Sequence, residues 1–165
     1  RRHEQTLGEI ARPESQVQGI TLSPNQVERA TALAKTQGVD NASFQVMNAL
    51  DLQFPDNTFD LVWACESGEH MPDKARYVQE MVRVLKPGGS FLFIEHVLSD
   101  ERSLRAQQIA LDGLQAKLAD GCHLNRQTLA SIENAGFARI ETVQRFTLPG
   151  FGLISSQIAG LAINA

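Results

Sequence analysis

Cysteine is scarce in this chain: Cys65 and Cys122 are the only two in 165 residues. Two are too few for a disulfide scaffold or a structural zinc site. They suit a reducing compartment, where buried thiols act as small apolar side chains. Basic runs are absent and the net charge is −4, which argues against nucleic acid and against an anionic membrane surface as obligatory partners. No apolar run approaches the roughly 18 residues of a spanning helix. His70, His96 and His123 lack a ligand spacing such as H-x-x-x-H, so no metal is expected. Repeats and low-complexity segments are missing. Glycine is missing where an α/β ligand site often needs it, since Gly8 is the sole glycine before Gly19. Arg1 to Gln18 is polar and broken by Gly8 and Pro13, with Leu7, Ile10 and Ala11 as one short helical face. The chain starts at Arg1 and shows no secretory signal, which suggests a fragment or a processed product.

At 42% hydrophobic, 165 residues can bury one sizeable core, so a single domain is the expectation. Strand and helix patterns alternate. Val17 to Thr21 reads as a strand that enters a helix at once. Ser23 suits an N-cap, Pro24 the first helical position and Gln26 a capping-box partner. The helix runs to Gln37, with Val27, Ala30, Leu33 and Ala34 inward and Gly38 beyond its end. Phe44 to Met47 is a short strand, and FPDNTF a turn. Phe59 to Cys65 is the apolar run of a strand buried on both faces. Asp73 to Leu85 is an amphipathic helix, stopped by Lys86-Pro87-Gly88-Gly89 before a strand at Phe91 to Ile94. Leu104, Leu111, Leu114 and Leu118 mark a further helix, and Asn125 is placed to cap another that ends at Gly136. Phe137 to Leu148 alternates, Pro149-Gly150 turns, and Gly152 to Ala162 returns. A βαβαβ series ending in a hairpin implies a mostly parallel sheet with an antiparallel edge.

Four landmarks in this order, GITLSPNQ (19–26), FPDNTFDLVWACESGEHMPD (54–73), RVLKPGGSFLF (83–93) and the terminal hairpin, resemble a class I S-adenosylmethionine-dependent methyltransferase. GITLS with SGEHMPDK is similar to the tocopherol methyltransferase and cyclopropane-synthase branch. EHV (95–97) and DGCHLNR (120–126) are closer to small methyltransferases of thiols and lipophilic substrates. The resemblance implies an α/β fold: a doubly wound, mostly parallel Rossmann-like sheet with a C-terminal antiparallel hairpin, N-terminally truncated. Residues 1–18 would be a polar remnant with a possible helix. Residues 19–165 would be the methyltransferase domain without its first strand and glycine loop. In the family that loop holds the donor's amino-acid end by a close backbone approach that only glycine allows, and RRHEQTLGEIARPES does not match it. Two expectations stay open. One is a truncated but ordinary methyltransferase acting on a small lipophilic acceptor (phenol, quinol or thiol). The other is a degenerate domain without donor binding that serves as a binding or scaffold partner.

The same resemblance implies site residues. The donor's ribose would lie beyond Thr21 and Leu22, reached by Gln26, where many relatives carry a carboxylate; equally, Gln26 only caps its helix. Asn48, Ala49 and Leu50 match the position that holds the adenine, or form an ordinary polar strand end. Cys65 to His70 falls where relatives place the methionine part and the reacting methyl. There Glu66 would touch the donor, and Glu69 or His70 would take a proton, unless the segment is a solvated loop. His96 titrates near neutrality and is a further candidate base, or a hydrogen-bonded structural histidine. His123 precedes a helix able to close over substrate. The cofactor implied is S-adenosyl-L-methionine and the partner a small-molecule acceptor. An intracellular setting, cytoplasm or plastid, is favoured, and the oligomeric state is left open.

Overall fold

A computed structural model describes residues 14–119 and 121–165, with the side chains of Glu69 and Thr142 outside the described set. The helical face expected over Leu7, Ile10 and Ala11 also lies outside it. The chain divides into two compact units, one ending at Gln53 and the other spanning Phe54–Ala165.

The first unit contains β1 (Val17–Thr21), α1 (Pro24–Thr36) and β2 (Ala42–Val46). The strands are parallel, with Val17 opposite Ala42 and Thr21 opposite Val46. Gly19 lies opposite Phe44, and a Cβ on Gly19 would fall 2.5 Å from Phe44 Cδ1, so the ring packs where only glycine leaves room. Ser23 caps α1, and Gln37 closes its far end by donating to the Leu33 carbonyl. The expected capping box is rearranged. The Ser23 N–H donates to Thr21 Oγ1 at 3.2 Å, and the Thr21 hydroxyl donates to Gln26 Oε1 at 2.5 Å. Leu33 was expected inward but is 54% exposed, because the two-stranded sheet offers no surface for it within the unit.

The second unit contains β3 (Phe59–Cys65), a 3-10 turn (Gly68–His70), α2 (Lys74–Val84), β4 (Leu85–His96), α3 (Arg102–Leu118), α4 (Thr128–Glu133), β5 (Arg139–Thr147) and β6 (Ser156–Ile163). Its sheet order is β3-β4-β6-β5. β3 and β4 are parallel, and β6 runs antiparallel to both β4 and β5. The α/β fold with parallel strands and a terminal antiparallel hairpin therefore stands. Tyr77, Val78, Met81 and Val84 of α2 are buried, as are Phe91 and Phe93 of β4, with Leu124, Ile132 and Ile158. Phe91 stacks on Phe137 at a centroid distance of 5.6 Å.

Helix α2 stops at Val84, as Lys86-Pro87-Gly88-Gly89 requires, but β4 begins at Leu85 rather than Phe91. Asn164, one residue past β6, explains this. Its side-chain amide donates to the Leu85 carbonyl at 2.8 Å and to the Val82 carbonyl at 3.3 Å. Its main chain pairs with Gly88 and Gly89, which draws the glycine segment into the sheet.

Helix α3 forms as expected, and its inward face is polar. Leu111, Leu114 and Leu118 are exposed, whereas Gln108 is fully buried. Gln108 accepts from the Ser99 N–H at 2.7 Å and donates to the Leu153 carbonyl at 2.8 Å. A satisfied polar network has won the inward face. Asn125 does not cap α4; Gln127 occupies that position without a side-chain hydrogen bond. The return strand begins at Ser156, since Gly152–Ile154 form a 3-10 turn.

Candidate functional site

Parallel strands end at the same edge of their sheet, and such edges gather ligand-binding loops. In the first unit, Thr21 and Val46 end β1 and β2 side by side, and the Met47 N–H donates to the Thr21 carbonyl at 3.0 Å. Thr21, Leu22, Gln26, Asn48, Ala49 and Leu50 thus share one edge. Leu22 is 68% exposed. Asn48 closes a tight turn by accepting from the Leu50 N–H at 3.0 Å. Gln26 is exposed; with Oε1 held by Thr21, its amide N–H groups remain to offer. A cavity of about 260 Å³ lies beside them, lined by Gly19, Thr21, Gln26, Val27, Ala30 and Phe44 among others.

In the second unit, β3, β4 and β5 all point the same way, so the loop after Cys65, the exit of β4 at His96 and the hairpin 148–155 share one edge. Glu66 adopts φ +49°, a left-handed conformation costing an L-residue about 1–2 kcal/mol. Its backbone N–H donates to the Ile94 carbonyl at 2.8 Å, and its Oε2 lies 3.0 Å from His96 Nδ1. Glu95, 1% exposed, accepts from the Gly68 N–H at 2.9 Å and the Ser67 N–H at 3.4 Å. A Cβ on Gly68 would fall 2.9 Å from Glu95 Oε1 and 2.8 Å from Lys74 Nζ, so any larger residue would have to displace these side-chain ends. His70 is exposed at the end of the 3-10 turn. The Glu69 side chain lies outside the described residues.

His96 is 1% exposed and both of its ring nitrogens are engaged. Nδ1 faces Glu66; Nε2 lies 3.3 Å from the His123 carbonyl oxygen and 3.4 Å from Cys122 Sγ. His123 is 36% exposed and donates from Nδ1 to Asp112 Oδ2 at 2.9 Å. The other Asp112 oxygen accepts from the Leu124 N–H at 2.7 Å. Burial pushes the Asp112 carboxyl up, and this is the largest single influence. The hydrogen bonds from His123 and Leu124, with the His123 charge and the Asn125 N–H, outweigh it and leave the group below the usual carboxylate range.

The structure therefore brings Glu66, His96 and His123 into one cluster, with His70 on the same loop as Glu66. Sequence reasoning missed Glu95, Cys122 and Asp112. EHV and DGCHL drew attention to their neighbourhoods, but no spacing joins positions 96, 112 and 122. A cavity of about 370 Å³ opens beside the hairpin, lined by Leu104, Gln107, Leu148, Pro149, Leu153 and Ser155 among others. The segment 148–154 contributes Leu148, Pro149, Gly150, Gly152 and Leu153 to this concave surface. Among the described residues, no group of His, Cys, Asp and Glu is arranged to hold a metal, and no helix is long and apolar enough to cross a membrane.

Comparison with known proteins follows the same lines. A family model described as a methyltransferase domain matches residues 3–93, more than half of the chain. Chloroplastic tocopherol O-methyltransferase of Arabidopsis thaliana is 50% identical over 103 residues, covering 62% of this chain and 29% of that protein. The 2-methyl-6-phytyl-1,4-hydroquinone methyltransferase of Synechocystis is 39% identical over 142 residues, covering 86% of this chain and 40% of that protein. The chain thus spans well under half the length of these relatives. Among solved structures, the cyclase SpnF superposes with a TM-score of 0.74 at 22% identity, covering 91% of this chain and 67% of that one. At that identity the likeness concerns the fold alone.

Proposed function

We propose that this chain, which belongs to the methyltransferase-domain family of class I fold, carries part of the machinery that moves a methyl group from S-adenosylmethionine to a small lipophilic acceptor of phenol, quinol or thiol type. One observation carries the reading: in each unit, the motif residues fall at the carboxyl ends of parallel strands. The names of the two relatives support a phenol or quinol over a thiol.

The first-unit edge fits the nucleoside half of the donor. Gln26 offers amide N–H groups for ribose hydroxyls from a position that the Thr21 hydroxyl fixes, and Asn48 to Leu50 form the polar turn proposed to hold the adenine. The donor's amino-acid end has no glycine-loop counterpart among the described residues. When bound, the donor supplies a methyl group already activated on a sulfonium. The protein then has to bind, align and exclude water.

In the second unit, we assign His70 the proton of the acceptor hydroxyl, with Glu69 as its neighbour in sequence. Glu66 orients at this edge, and His96 acts as a positioning residue by fixing the Glu66 carboxylate. The cavity beside the hairpin takes the acceptor. Leu104, Leu148, Pro149 and Leu153 supply apolar walls, Gln107 and Ser155 supply hydrogen bonds, and His123 lies on a separate loop as a further substrate contact. The chloroplast named for the Arabidopsis relative is the compartment we propose.

Calorimetric titration of the full-length protein with S-adenosylmethionine, followed by methyl transfer to a quinol, tests this. Micromolar donor binding is expected. His70→Ala should lower kcat roughly 100-fold while leaving donor affinity unchanged. A folded full-length protein without donor affinity would overturn the reading. That result would favour the alternative of a binding or scaffold domain, to which the exposed Leu33, Leu114 and Leu118 lend support.

A further inference from the structure

The surroundings of His96 fix one ring proton and share a second with a thiol. Nδ1 faces the Glu66 carboxylate at 3.0 Å, and a carboxylate only accepts, so Nδ1 carries a hydrogen. Nε2 faces both the His123 carbonyl oxygen at 3.3 Å, which has no proton to give, and Cys122 Sγ at 3.4 Å, which has one when it is a thiol, so one proton is shared between Nε2 and the sulfur. With that proton on Nε2 the ring is an imidazolium, buried to 1% exposure, and such a cation needs negative charge around it. Glu66 supplies one such charge. On the Nε2 side an ionised Cys122 Sγ, 3.4 Å away, supplies another. The sulfur also receives a weak contact from the Gln115 amide, with Nε2 at 3.9 Å. The Gln115 amide and His96 Nε2, the latter shared with the His123 carbonyl, both face this sulfur, and a Cys–His–carboxylate array of this kind is an established way to ionise a thiol.

We propose that Cys122 is an activated thiol, held as a thiolate by His96 and Glu66, and that it is a modification site for hydrogen peroxide. Burial selects the reagent. Cys122 is 6% exposed, which suits peroxide and disfavours bulky electrophiles. The thiolate attacks one peroxide oxygen; an S–O bond forms and the O–O bond breaks. The departing hydroxide takes the Nε2 proton of His96 and leaves as water. Sulfur is oxidised by two electrons to a sulfenic acid and the peroxide is reduced. The imidazolium becomes neutral, so the modification reaches Glu66 through His96 at the edge proposed for methyl transfer. Donor binding and this thiol chemistry are separable, so failure of one leaves the other standing.

Cys65 is the internal control, since it is more exposed than Cys122. Exposure alone predicts that Cys65 reacts first. An ionised Cys122 holds about thirtyfold more thiolate at neutral pH than a cysteine of ordinary pKa near 8.5, and so should react first despite its burial. The experiment treats the full-length protein with hydrogen peroxide, traps sulfenic acid with dimedone and maps the adduct by mass spectrometry over time. Expected are labelling of Cys122 ahead of Cys65, loss of that adduct in Cys122→Ser, and a rate roughly tenfold lower or more in His96→Asn. Circular dichroism checks folding of each variant. Should His96→Asn fail to fold, Glu66→Gln, altering a partly exposed side chain, should still slow Cys122 several-fold. Equal or faster labelling of Cys65, no adduct at Cys122, or an unchanged rate in a folded His96 or Glu66 variant would overturn the proposal.

Discussion

Helices α1 and α2 are both capped amphipathic segments following an extended stretch, yet α1 buries no residue and α2 buries six. The difference lies in what each can pack on. In the first unit the partner is a two-stranded sheet, an arrangement that is marginal by itself. In the second it is a four-stranded sheet whose two inner strands are paired on both sides. Capping is enough to shape a helix, but packing supplies most of its stability. The residues we assign to the donor stand on the thinner unit, and those we assign to the acceptor on the thicker one. A ligand that binds only the folded form would therefore add proportionally more to the first unit.

The contrast is most open to challenge in the core. Phe91→Ala should cost about 3–5 kcal/mol, because the ring is 1% exposed and stacked on Phe137. Leu33→Ala should stay within about 0.5 kcal/mol. Urea unfolding of both variants measures the pair, and comparable losses would erase the difference between the units. A smaller effect is expected at the second-unit edge. Glu95→Ala leaves the Ser67 and Gly68 N–H groups without their acceptor and should cost about 1–3 kcal/mol. Hydrogen exchange should then quicken at Ser67 and Gly68 before it does in β4; uniform quickening would mean that Glu95 supports the whole unit. The smallest effect concerns Asp112. Its carboxyl is lower than usual in the folded chain, so its contribution is present above the ordinary carboxylate range and is lost as pH falls through the depressed value. Asp112→Asn should flatten the acid side of the stability profile and leave the alkaline side in place. An unchanged acid limb would assign that loss to another carboxylate.

Much of the fold was legible where local chemistry decides it. Ser23-Pro24 opens α1, Lys86-Pro87-Gly88-Gly89 ends α2, and the apolar run Phe59 to Cys65 is a strand to the residue. Features that depend on distant partners were not legible. The leucines that mark α3 do not show which residue faces inward; Gln108 holds that position because Ser99 and Leu153 offer it hydrogen bonds across the fold. Strand β4 starts earlier than its apolar residues imply because Asn164 engages the glycine segment. In the candidate site, strand-end positions identified Thr21, Glu66 and His96. Cys122 reads in the sequence as a small apolar side chain, because its contact with His96, 26 positions away, leaves no local sign. Glu95 escaped because a charged residue within a strand gives no hint that it is buried against Gly68.

Asn164 has a consequence for how this chain is made. Its amide closes carbonyls at the end of α2 that were synthesised up to 82 positions earlier. At ribosomal speeds of about 5–20 residues per second, roughly 4–16 s pass before that amide exists. During that interval the carbonyls at the junction of α2 and β4 lack their native donor, and β4 has β3 beside it but not β6. Vectorial synthesis thus leaves the central strand with one raw edge, and the hairpin that closes the sheet also finishes the helix. The two events are one step, timed by the ribosome.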